Sequence, residues 1–198
     1  MWRAIKLAGL ATVLLAFGKG EYLMAADTDQ VAVIETKFGR IAFEFYEKDA
    51  PKTVANFIKL AKEGFYNGTT FHRVIPGFMI QGGDPLSKTE DRQSHGKGGP
   101  GYTVPAEIKR DHKRGTVATA RLGDAMNPEK ASSGSQFFIN VKDNGSLNGG
   151  YTVFGNVIAG MDVADKIVGV PRDGRDNPLE KVGMKVTITT RADALKGK

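Results

Sequence analysis

The sequence predicts a mainly β domain, an antiparallel barrel or sandwich of many short strands with two helices set far apart. Three observations lead there. Glycine supplies 25 of 198 residues, about twice its usual share, which favours turns and short strands over long helices. Apolar residues alternate with polar or small ones in short runs, as at Ile41, Phe43 and Phe45 or at Val182, Met184, Val186 and Ile188, the period of a half-buried strand. Only two stretches, after Pro51 and at Val163 to Val168, read as helices. The length suits a single domain with a sizeable core, and neither an internal repeat nor a linker divides the chain.

Residues 1–26 read as a signal peptide and 27–198 as the folded domain. Arg3 and Lys6 precede the apolar run Leu7 to Phe17, which is shorter than the roughly 20 residues a membrane span needs and fits a secretory segment. A small-residue cleavage site falls near Ala25-Ala26, although Lys19 and Glu21 make its approach polar and Leu23 or Met24 stands three residues before it. The competing reading is a cytosolic extension. Export predicts a periplasmic or secreted bacterial protein that starts near Asp27 and keeps no membrane span. The chain has no cysteine, so disulfide and thiol chemistry are excluded.

Taken in order, Val31 to Thr36 and Ile41 to Tyr46 are strands joined by a hairpin at Lys37 to Arg40. Asp49-Ala50-Pro51 opens the first helix, with an acidic residue before the first turn and proline near its first position. Val54, Phe57, Ile58 and Ala61 follow at helical spacing, and Gly64 ends it. Strands are predicted at Gly115 to Ala120, Gln136 to Val141 and Tyr151 to Val157. Asp84 to Tyr102 and Arg121 to Ser133 are long loops, and Asp143 to Gly150 is turn-rich. The formal charge of +6 is dispersed, with no block of like charge, so no nucleic-acid footprint is present.

The most informative stretch is Phe71 to Asp84, FHRVIPGFMIQGGD. Arg73 stands among Phe71, Val74, Ile75, Phe78, Met79 and Ile80, where a bare guanidinium is costly unless paired or used. Pro76-Gly77 splits the run in two. A strand beginning at Gly77 puts Met79 and Gln81 on one face and Phe78 and Ile80 on the other. Gly82-Gly83 then lets the backbone bend. Two readings fit: an amphipathic site with an apolar floor, one cation and one amide, or a core hairpin whose arginine snorkels to the surface.

Other chemistries lack their residues. His72, His95 and His112 are isolated and form no metal-ligand spacing, so no metal is expected; His72 reads as a hydrogen-bonded core group. Gly96 to Gly101 has neither the strand nor the helix of a phosphate cradle, and no GxSxG elbow occurs.

The FHRVIPGFMIQGGD run resembles the signature of the cyclophilin-type peptidyl-prolyl cis/trans isomerases. Ser135 to Ile139 (SQFFI) and Val153 to Gly155 (VFG) resemble that family's next two motifs in order. The likeness spans about residues 31 to 190. It implies a closed eight-stranded antiparallel β-barrel capped by two α-helices, no cofactor, and rotation about X-Pro bonds in proline-containing polypeptides; a monomer is expected. It also implies roles. Arg73 matches the catalytic arginine, while Phe78, Met79 and Phe138 match the proline pocket, with Leu147 beside them. Gln81 matches the amide that orients the arginine, and Gln136 lines the groove. Ala118, Thr119 and Ala120 match an edge segment that bonds the substrate backbone, with Thr119 where most members carry Asn. Ser146 and Tyr151 stand where compact eukaryotic members carry Trp, which contributes to cyclosporin binding in the family, and His; Tyr151 keeps an aromatic wall. The Leu122 to Lys130 segment is longer than in compact eukaryotic members. The alternative function is a non-catalytic module of the same fold that holds proline-containing segments.

Such chemistry needs little. Rotation about the bond breaks nothing and must only lower a barrier of about 18–20 kcal/mol that comes from amide resonance. A hydrogen bond to the imide nitrogen and an apolar surround both lower it. Arginine suits the donor because it stays protonated and presents a planar fork.

Overall fold

Strand β1 (Gln30–Thr36) turns at Lys37 and Phe38 into β2 (Gly39–Phe45), with Thr36 opposite Gly39. The Thr36 hydroxyl ties the turn, accepting from Phe38 N and donating to Gly39 O. This hairpin begins a computed structural model that describes residues 29–196; the expected leader, 1–26, lies outside the described residues.

Six more strands follow: β3 (Arg73–Ile75), β4 (Met79–Gly82), β5 (Thr116–Thr119), β6 (Phe137–Asn140), β7 (Val153–Ala159) and β8 (Lys185–Thr190). They form one antiparallel sheet in the order β3-β4-β6-β5-β7-β2-β1-β8. The eight strands match the expectation, but the closure does not. Among the described residues no ladder joins β3 to β8, so the sheet curls without sealing. Its two ends meet just ahead of those strands, where Phe71 N donates to Val182 O at 2.9 Å and Met184 N to Thr69 O at 2.8 Å. The free side of β3 is taken by a loop instead, since Val74 N donates to Asp176 O at 2.8 Å.

Helix α1 (Pro51–Lys62) buries Val54, Phe57, Leu60 and Ala61. Its N-terminal amides are capped from a distant loop, not by Asp49: Glu107 accepts from Lys52 N, Thr53 N and the Thr53 hydroxyl, satisfying donors every helix start leaves open. Asp49 pairs with Arg110. Helix α2 (Met161–Val168) follows Gly160, and a third helix, α3 (Arg191–Leu195), is capped by Thr190 accepting from Asp193 N at 3.1 Å. Five residues are too few to show a helical period, so α3 adds to the two helices expected.

Alternation sorts the strands between a main apolar core and two smaller clusters, one of them Val31, Val33, Ala42 and Ala194. Phe43, Phe57, Tyr66, Phe137, Ile139 and Phe154 belong to the main core, where the rings of Phe57 and Tyr66 stack at 4.8 Å. Met79, Ala118, Phe138 and Val153, which adjoin the main-core residues Ile80, Val117, Phe137 and Phe154 in sequence, form a cluster on the other face of the sheet. That face carries the site.

Candidate active site

The ladder β3–β4 sets Arg73 opposite Gln81. Arg73 is exposed while Gln81 is half-buried, and the Arg73 Nη1 donates to Gln81 Oε1 at 3.4 Å. Gln81 Nε2 donates to Gln136 Oε1 at 3.0 Å, and Gln136 Nε2 donates to the carbonyls of Gly96 and Gly98 at 3.0 and 2.8 Å. Gln136 is only 5% exposed. Its two donors and its carbonyl are thus all used, which fixes its orientation and passes that order to Gln81 and Arg73.

Next to this relay lies an open cavity of about 160 Å³, walled by Arg73, Phe78, Met79, Gln81, Ala120, Arg121, Phe138, Leu147 and Tyr151. The floor is apolar because β4 and β6 turn Met79 and Phe138 outward, with Ala118 and Val153 beneath. Phe78 corrects the expected alternation. β4 begins at Met79, not at Gly77, and Phe78 sits in the preceding turn, where Gly77 has φ +69° and Phe78 N donates to Ile75 O. A turn residue does not follow the strand's period, so Phe78 faces the pocket cluster with Met79, away from Ile80. After β4, Gly83 has φ +84°, and a Cβ there would stand 2.5 Å from Ser135 O. The bend that brings the Ser135–Gln136 segment beside Gln81 therefore requires glycine.

Leu147, in a single 3₁₀ turn (Gly145–Leu147), and Tyr151 close the far wall. Tyr151 meets Phe138 edge-on at 5.8 Å. Ser146 is exposed and outside the cavity.

The segment Ala118 to Ala120 departs from its expected edge position. β5 lies between β6 and β7, inside the sheet. Thr119 N donates to Thr152 O, Ala120 N donates to Gln136 O, and Ala120 O accepts from Ser133 N. Of the three residues only Ala120 reaches the cavity; Ala118 underlies it, and Thr119 faces the other way.

Two residues of the site escape sequence reasoning. His112 stacks on Phe138 at 5.8 Å with 14° between planes, and its Nδ1 lies 3.2 Å from Asn140 Nδ2. Burial lowers its pKa below the ordinary histidine value, disfavouring the charged ring. Arg121 spreads its guanidinium over the Tyr151 ring at 4.6 Å, donates to Gly150 O and pairs with Asp124. A lone histidine in a polar loop gives no sign of such packing; Arg121 adjoins the matched Ala120, the one signal available.

His72 is also corrected. It is buried, but neither ring nitrogen has a hydrogen-bond partner. Burial pushes its pKa down to about 4, with Asp84 opposing the shift only in part. Among the described residues no group of acidic and histidine side chains is arranged to hold a metal ion, and no helix is long and apolar enough to cross a membrane.

Comparison with known proteins gives consistent findings. The family described as cyclophilin type peptidyl-prolyl cis-trans isomerase/CLD matches residues 31–189. A probable peptidyl-prolyl cis-trans isomerase of Brucella abortus is 45% identical over 167 residues, 81% of this chain and 83% of the relative. Peptidyl-prolyl cis-trans isomerase A of Dickeya dadantii is 39% identical over 197 residues, 96% of this chain and 97% of its own. A crystal structure of a Cryptosporidium parvum cyclophilin type isomerase superposes with a TM-score of 0.72 at 33% identity, covering 81% of this chain and 98% of that one. A second structure of that protein, obtained in the presence of the dipeptide Ala-Pro, gives 0.71 at 32% identity, covering 81% and 99%.

Proposed function

The chain belongs to the cyclophilin-type peptidyl-prolyl cis-trans isomerases, and from that premise we propose that Arg73 is the catalytic donor and the adjoining cavity the proline pocket. One observation carries the assignment: a guanidinium held through Gln81 at the mouth of an apolar cavity floored by Met79 and Phe138. The proline ring enters between Phe78, Met79, Phe138 and Leu147, leaving water as it does. The guanidinium then offers a hydrogen bond to the imide nitrogen as the bond twists and its lone pair is freed from resonance. The C–N bond stays intact, no group leaves, and the donor keeps its proton throughout. A fixed dipole aimed at developing charge stabilises the twisted state over both planar ones.

The substrates are proline-containing polypeptides, a reading supported by the Ala-Pro dipeptide present with the Cryptosporidium relative. Turnover of a proline peptide by the protein, measured beside Arg73→Ala, tests the assignment. We also propose that the protein acts after export, as a monomer. The basic, then apolar opening of the chain supports export, and sedimentation addresses the monomer. Intact mass and cell fractionation test the place of action: a chain starting near Asp27 in the periplasm or medium is expected, and a full-length cytosolic chain overturns it.

A further inference from the structure

A second cavity, of about 200 Å³, lies on the other side of Arg73 from the proline pocket and shares Arg73 and Gln81 with it. It is cationic. Arg73, Arg92 and Arg175 line it with His72 and His95, and no carboxylate does. Two loops distant in sequence build it. Arg92 donates to Asp173 Oδ2 and to the carbonyls of Asn177 and Pro178 at 2.9 to 3.0 Å. Arg175 donates back to Gln93 Oε1 and Arg92 O, and Asn177 meets His95 at 2.9 Å. The loop carrying Arg175 is itself fastened to β3 through Val74 N and Asp176 O.

Asp84, buried behind the wall, accepts from Gly96 N and acts on His72, and offsets only part of this positive charge. Asp173 answers Arg92, whereas among the described residues neither Arg73 nor Arg175 has a carboxylate partner. Both bonds from the Arg175 guanidinium go to neutral oxygens, which hold it in place without neutralising it. His72, buried and unpartnered, forms part of the wall. Three guanidiniums around one concave surface, with Arg73 and Arg175 exposed and Arg92 half-buried, suit a carboxylate.

We propose that this cavity is an acidic-residue subsite: it takes the side-chain carboxylate of an Asp or Glu near the proline in the same polypeptide, with Arg175 as its specificity-determining residue. This rests on the Arg73 groove being the proline site. A polypeptide whose proline fills the apolar pocket passes Arg73, and its neighbouring residue meets the second cavity directly. Acidic segments are then selected over neutral ones, and lysine-flanked prolines are disfavoured.

The test uses the full chain and proline peptides carrying Glu, Gln or Lys at each of the two positions on either side of the proline. Dissociation constants and kcat/KM are read at low and high salt, with the native protein and with Arg175→Gln. At one position Glu is expected to surpass Gln by about tenfold in both quantities, the scale of a charge-assisted contact partly exposed to solvent. Salt and Arg175→Gln should each abolish most of that preference and leave the Gln peptide within about twofold. Equal binding of Glu and Gln peptides at all four positions by the native protein overturns the proposal, as does a preference that survives in folded Arg175→Gln. Glu-selective binding without turnover of any peptide would instead sink the catalytic role while leaving the subsite standing.

Discussion

Arg73 and Gln81 are cross-strand partners, and the amide of one holds the guanidinium of the other only because a second amide, Gln136, is pinned by two glycine carbonyls. Position at the reacting end of the site therefore depends on a buried residue with no place in the cavity wall itself.

Arg73→Ala should lower kcat/KM by roughly 10²–10³, or about 2.7–4 kcal/mol, the effect of losing one preorganised donor. Arg73 is exposed and pairs with no carboxylate among the described residues, so the melting temperature should barely move. Near-native turnover in a peptide-coupled assay would remove Arg73 from the mechanism.

Gln136→Leu keeps the bulk of the side chain but orphans Gly96 O, Gly98 O and the Gln81 amide. Leaving such part-buried groups unpaired costs less than the ~1–3 kcal/mol of a fully buried one. We expect kcat to fall more than KM rises, because Arg73 loses its support without leaving the site. Faster amide exchange between 96 and 99 would accompany the change; native exchange there would contradict the relay.

Phe138 is 5% exposed and wedged between His112 and Tyr151. Phe138→Ala should destabilise the fold by about 3–5 kcal/mol and weaken proline-peptide binding together. Chemical denaturation and a binding titration on one sample check both, and full stability with lost binding would show the ring acts on the ligand alone.

Histidine burial sets an acid limit on stability. Unfolded, His72 takes up a proton below its ordinary value of 6.5; folded, it stays neutral down to about 4. The unfolded chain binds more protons in that window, so stability is complete above pH 6.5 and declines as the pH falls towards 4. The loss approaches about 3 kcal/mol at the bottom of the window. His112, also shifted down by burial, adds a loss of the same sign. His72→Gln should flatten the slope of unfolding free energy between pH 6.5 and 4.5; an unchanged slope would mean that His72 does not control it.

What the sequence disclosed follows from the range of each force. Strands β2, β6, β7 and β8 and helix α1 were legible because period and turn residues act over a few positions. The motif likeness led to Arg73, Phe78, Met79, Gln81, Phe138, Leu147 and Tyr151, all of which line one cavity. The face of Phe78 was misread because its turn interrupts the strand period. The interior place of β5 depends on which strands flank it, and no local pattern carries that. Glu107 capping α1, His112 beneath Phe138 and Arg92 clasping Asp173 are partners brought together from distant segments. Nothing in the residues around each one names the other.

The pairing of β1 with β8 bears on how the chain is made. Gln30 lies opposite Thr190, and Arg191 N donates to Asp29 O, so β1 finds its second neighbour only in β8, the last strand of the described residues. While the chain is still on the ribosome, β1 has one bare flank and the main core lacks Val182, Met184 and Val186. Completion of the native sheet is thereby deferred until residues 185–190 have been made. The strand that opens this sheet therefore waits, half-paired, for a partner about 150 residues further along the chain.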